Sequence, residues 1–118
     1  TAAVYCTKSI VLETASTSLD VRLTSNIRST SKVKVFFRII GSEDDTTIDK
    51  VNWTPFNLAG EEDTTVTPAE DNTTFKEYKY SVSGLKDFTT FQLKIAMTGS
   101  TSCYPPIIRD MRAIALAV

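Results

Sequence analysis

There is no histidine in this chain of 118 residues. That absence removes the usual general base near neutral pH, the Ser-His-Asp and Cys-His nucleophile systems, and the commonest zinc ligand. Cysteine is scarce as well. Cys6 and Cys103 lie almost a full chain apart, too few for a disulfide scaffold and unable to build a cysteine zinc site without carboxylate help. No GxGxxG or GxxxxGK loop occurs, so nucleotide phosphates have no cradle. No apolar run in the sequence approaches the roughly 18 residues of a membrane helix, and the opening residues lack the basic and apolar regions of a secretory signal. Charge of one sign is missing too. The 13 basic and 14 acidic residues leave a formal net charge of −1, which argues against a surface built to neutralise a nucleic-acid backbone.

What is present is the punctuation of a strand protein. The apolar content of 42% suits one domain over residues 1–118, a size that buries roughly 65% of its unfolded surface. Gly41, Gly60, Gly84 and Gly99 fall between apolar runs, and Pro55, Pro68, Pro105 and Pro106 sit near their ends. Leu19, Val21 and Leu23 alternate with Asp20, Arg22 and Thr24, the pattern of a strand with one buried and one wet face. Val33, Val35, Phe37 and Ile39 alternate with Lys34, Phe36, Arg38 and Ile40, so the second face of that strand is half apolar. Similar alternation runs through Tyr78, Tyr80 and Val82, and through Phe91, Leu93, Ile95 and Met97. With an opening strand over 4–12, a short one over 48–53 and a closing one over 108–117, the expectation is an all-β domain. It is a single antiparallel β-sandwich of about seven or eight strands, jelly-roll or Ig-like in outline. Residues 54–74, rich in Thr, Glu, Asp and Pro, read as a surface excursion with one weak strand at 64–67.

Acidic residues cluster as Glu43-Asp44-Asp45 with Asp49, as Glu61-Glu62-Asp63 and as Glu70-Asp71. Paired carboxylates are the minimum for glycoside hydrolysis, and Asp44, Asp45 and Asp49 offer oxygens of the kind that calcium takes. The plainer reading is of solvated acidic turns that keep a β-protein soluble, so neither a catalytic residue, a metal nor a cofactor is expected. Phe37, Tyr78, Tyr80, Phe88 and Phe91 fall in or beside strand runs and read as packing residues. Trp53 stands at a strand end before Thr54-Pro55, where a ring can meet a partner. If the strands bearing the two cysteines are neighbours, a bridge closing so long a loop is worth up to ~4 kcal/mol; as thiols they read as small buried hydrophobes. Asn52-Trp-Thr and Asn72-Thr-Thr are glycosylation sequons that also arise readily in a Thr-rich chain.

The C-terminal stretch runs Phe91-Gln-Leu-Lys-Ile-Ala-Met-Thr, then a Gly/Ser/Thr/Pro loop, then Ile107-Ile-Arg-Asp-Met-Arg-Ala-Ile-Ala-Leu-Ala-Val. This wording resembles C-terminal β-modules of virion structural proteins in tailed bacteriophages, particularly large phages of marine cyanobacteria. Weaker matches extend to Tyr5-Cys-Thr-Lys, Leu19-Asp-Val-Arg-Leu-Thr and Val33-Lys-Val-Phe-Phe-Arg-Ile. The resemblance implies a non-catalytic structural or assembly part of the particle, whether of tail, baseplate, neck or fibre, made in host cytoplasm, with both cysteines as thiols. The alternative is a binding module that recognises a host-surface glycan or protein through loops around Trp53 and Tyr104. One feature of the residues supports assembly independently. In the last strand Met111, Ala113, Ala115 and Ala117 share one face and Arg112, Ile114, Leu116 and Val118 the other, so both faces turn apolar, where a sandwich strand normally needs one. Phe36 and Ile40 raise the same question, and cover by the chain's own N-terminal segment or loops answers it as well as contact with another subunit does. The candidate partner-binding residues are therefore Phe36, Ile40, Trp53, Tyr104, Ile114, Leu116 and Val118. The expected partners are other virion proteins and further copies of the chain, with a host glycan as the alternative, and neither nucleic acid nor membrane.

Overall fold

The computed structural model describes residues 2–99 and 106–117. Eight strands form two antiparallel sheets: β1 (Ala2–Cys6), β2 (Ile10–Ser16), β3 (Ser18–Asn26), β4 (Ser31–Ile40), β5 (Thr54–Pro55), β6 (Lys76–Val82), β7 (Phe88–Gly99) and β8 (Ile107–Leu116). The larger sheet has the order β1-β7-β4-β5, with β2 following β1 along the same edge of β7; the smaller has the order β6-β3-β8. The expected antiparallel β-sandwich is the fold.

Period-2 alternation explains the core. Leu19, Val21 and Leu23 of β3, Val33, Val35 and Phe37 of β4, Tyr78 and Tyr80 of β6, and Phe88, Phe91, Leu93 and Ile95 of β7 are all buried and form one cluster between the sheets. Their neighbours in sequence point outward, because successive side chains of a strand take opposite faces.

The central pairs β3/β6 and β4/β7 match those of an immunoglobulin sandwich, where the first strand flanks one pair and the last strand the other. Here the ends are exchanged. The opening strands β1 and β2 lie on β7, and the closing strand β8 lies on β3. The chain crosses between sheets at Thr17, whose N–H donates to the carbonyl of Leu116 at 2.8 Å.

Three expectations need correction. Residues 48–53 do not form a strand: Ile48–Lys50 is a single 3-10 turn, and the strand that follows is only Thr54–Pro55. Thr47 and Asp49 explain this, since the Thr47 hydroxyl donates to the Asp49 carboxylate and favours a turn over a ladder. No strand forms at 64–67. The stretch 54–74 is also more than a surface excursion. Phe56 is fully buried, edge-on to Phe37 at 4.9 Å and to Tyr80 at 6.1 Å between ring centroids. Its N–H donates to the Val35 carbonyl, and the turn closes with Gly60 N–H on the Phe56 carbonyl. Gly60 has φ of +88°, and a Cβ there would stand 2.9 Å from that of Lys34, so glycine is required where this turn presses on β4.

Candidate functional site

The long edges of the sandwich differ. On one side the backbone is covered. β5 and the turn at 56–60 hydrogen-bond to β4. Beside β6, Asp63 N–H donates to the Lys79 carbonyl at 2.8 Å, while the Asp63 carboxylate accepts from Ser81 N–H at 3.0 Å and from the Ser81 hydroxyl at 2.5 Å. Burial raises the Asp63 pKa, but the hydrogen bonds from Ser81 and Asn57 and the charge of Lys79 outweigh it, leaving the group below its ordinary value. Further along, buried Asn26 donates to the carbonyls of Asp71 and Thr74 at 2.8 and 2.7 Å, tying the loop down.

Among the described residues the opposite side is open. There β1 and β2 end the larger sheet and β8 ends the smaller one. Eight large apolar side chains are exposed among the described residues. Seven of them are Val4, Tyr5, Ile10, Val11, Ile107, Ile114 and Leu116, all on these three strands; the eighth, Leu58, is in the turn after Phe56. Between the two open edges runs a mainly apolar cleft of about 530 Å³, lined by Tyr5, Ile95, Met97, Ile107, Ile108 and Met111. The edge of the larger sheet is interrupted. Thr7 sits in the break between β1 and β2, its N–H on the Leu93 carbonyl at 3.0 Å and its hydroxyl accepting from Leu93 N–H at 3.1 Å, and the register shifts again between Val11 and Ser16. The edge of β8 carries one irregularity, at Arg109, where Thr24 pairs with Asp110 but Ser25 with Ile108.

The outer faces of the sheets contrast in charge. On the smaller sheet Arg22 lies between Arg112 and Lys79, a row of like charges that is unfavourable by itself. Asp20 and Glu77 lie 3.5 and 3.4 Å from Arg22, and Asp110 lies 3.6 Å from Arg112. On the larger sheet β4 and β7 carry Lys32, Lys34, Arg38 and Lys94 and no carboxylate. Arg38 stacks under Trp53 at 4.1 Å and donates to the Gln92 side chain at 2.6 and 2.9 Å. Lys94 lies 4.5 Å from the Phe36 ring and 5.2 Å from that of Trp53, contacts worth about 0.5–2 kcal/mol each according to exposure.

The candidates named from sequence therefore separate. Phe36, Ile40 and Trp53 are half-buried on the outer side of the larger sheet, and Ile114 and Leu116 are exposed on the outer side of the smaller. Tyr104, Val118 and Cys103 lie outside the described residues. Cys6 is an exposed free thiol, not a buried hydrophobe, because it pairs with Lys94 and so shares the outward face. The contribution of Val4, Tyr5, Ile10 and Val11 was missed; their apolar character was visible, but their position on an edge depends on which sheet β1 and β2 join. Among the described residues no three histidine, cysteine or acidic side chains are grouped to hold a metal ion. Asp44 instead accepts from Gly41 N–H at 2.6 Å and lies 3.7 Å from Lys86.

No protein-family model matches the chain, and no curated protein is detectably similar to it in sequence.

Proposed function

We propose that this chain is a non-catalytic assembly module that joins neighbouring protein through the open side of its sandwich. With the resemblance of its strands, this makes it a structural component of a tailed-phage particle, in tail, baseplate, neck or fibre. The observation that carries the reading is the gathering, among the described residues, of seven of the eight exposed large apolar side chains on β1, β2 and β8. Edge strands left long and apolar invite pairing with another chain, and proteins that stay apart blunt them. This chain covers its other edges with Asp63 and with the turn around Phe56, and among the described residues it leaves the edge of β8 bare.

A second reading, recognition of an anionic host-surface glycan, is favoured by the carboxylate-free strands beneath Trp53. It ranks lower because both ring systems there already contact the chain's own Arg38 and Lys94.

Particles purified from lysate provide the test. Mass spectrometry is expected to find the chain at a fixed copy number, and Val11→Lys with Ile114→Lys to abolish its incorporation. A chain absent from particles, or incorporated equally well with both lysines, refutes assembly. Loss of host adsorption in Trp53→Ala at unchanged copy number would install the glycan reading instead.

A further inference from the structure

We propose that β8 pairs with β8 of a second copy, antiparallel about a two-fold axis through Ala113, so that the smaller sheet continues from one copy into the next. The inference rests on the assembly reading and adds the partner, the strand and the register.

Backbone phase carries it. The outward peptide groups of Lys79 and Ser81 are held by Asp63, so β6 turns Tyr78, Tyr80 and Val82 toward β3. β3 meets them through Leu23, Val21 and Leu19. Residues of an antiparallel strand direct both backbone groups alternately to one side and the other, so β3 meets β8 through Ser18, Asp20, Arg22 and Thr24. Their partners are Leu116, Ile114, Arg112 and Asp110. The carbonyl of Leu116 confirms the phase, accepting from Thr17 N–H at 2.8 Å and from the Ser18 hydroxyl at 3.1 Å. Met111, Ala113 and Ala115 consequently present their N–H and C=O groups to the free edge, and β8 pairs with no strand but β3 among the described residues.

From Asp110 to Leu116 this edge has no proline and no irregularity, whereas the edge of β1 and β2 is broken at Thr7 and after Val11. A two-fold axis through Ala113 overlaps the whole regular stretch. It exchanges hydrogen bonds between Ala113 and its own copy and between Met111 and Ala115. On the outer face it sets Arg112 against Ile114 and Asp110 against Leu116 of the other copy, so the long Arg112 stem covers an exposed apolar side chain. An axis through Arg112 would set that cation against itself. Like charges directly opposite are destabilising.

Light scattering on the full chain is expected to give twice the 13.0 kDa of one copy. Ala113→Pro removes only an outward N–H and should yield a monomer with an unchanged circular dichroism spectrum. Should that variant not fold, Ala113→Cys in a Cys6→Ser, Cys103→Ser background replaces it. Hydrogen-bonded partners stand about 5.5 Å apart at Cα, so mild oxidation should link the two copies, and Ala115→Cys, displaced from the axis, should not. A wild type that is monomeric at every concentration overturns the proposal. So does a dimer that survives Ala113→Pro, or one linked through Ala115→Cys and not Ala113→Cys. A dimer abolished by Val11→Lys but kept in Ala113→Pro places the contact on β1 and β2, which overturns the β8 pairing and leaves the assembly reading standing.

Discussion

Two polar residues do work that an apolar core cannot. Asn26 is 1% exposed, and its side-chain amide satisfies the carbonyls of both Asp71 and Thr74. Asn26→Ala is expected to cost about 1–3 kcal/mol, the penalty of leaving such acceptors unmet, read as a lower urea midpoint. Asp71 holds the same loop from the other direction. Its carboxylate accepts from Thr73 N–H, the Thr74 hydroxyl and Thr74 N–H, which hold its pKa down to about 2 from an ordinary 3.8. The folded state thus favours the ionised form, and protons favour the unfolded chain. Its contribution is complete above pH 3.8 and is lost as the pH falls through about 2. Thermal melts across that window should fall more steeply in the wild type than in Asp71→Asn; parallel slopes would refute the assignment.

Among the elements, the turn that follows β5 is the one whose weight the sequence least discloses. Phe56 fills the gap between the sheets on the covered side, touching a ring from each. Phe56→Ala is expected to cost about 3–5 kcal/mol, as much as a residue at the centre of β3, and a loss near zero in chemical denaturation would contradict its role. The inner faces of β3, β4, β6 and β7 were legible because alternation is a local signal, written in Leu19-Asp-Val-Arg-Leu and in Phe91-Gln-Leu-Lys-Ile. Phe56 was not, because a lone ring amid Thr, Glu, Asp and Pro carries no period, and its burial comes from where β4 and β6 receive it. For the same reason Ile114 and Leu116 could be recognised as surplus to the core from their own strand. The membership of Val4 and Val11 in that surface could not, since it follows from β1 and β2 joining β7, where Val4 meets Ala96 and Val11 meets Thr90, far along the chain. Trp53 stood out as a partner candidate, but its pairing with Arg38 and Lys94 depends on the 3-10 turn that folds 48–53 across β4.

At the scale of the molecule, the exchange of the end strands decides how the domain carries load. The sandwich is 46 Å along its longest axis. Ala2 lies opposite Thr98, at the end where Asn26 meets Ile107, whereas Leu116 lies opposite Ser18 at the other end. Tension applied through β1 and β8 therefore runs along the strands, drawing β1 past β7 and β8 past β3. Ladder hydrogen bonds lie across the strands, so under this pull they bear force together and must rupture together. Handles at Ser18 and Leu116 part the β3/β8 ladder one rung at a time. Single-molecule stretching should give a clearly higher rupture force with handles at Ala3 and Leu116 than at Ser18 and Leu116, and equal forces would show that the ladders do not share the load. Pulled by these two strands, the domain behaves as a shear joint, stiffest along the strand direction.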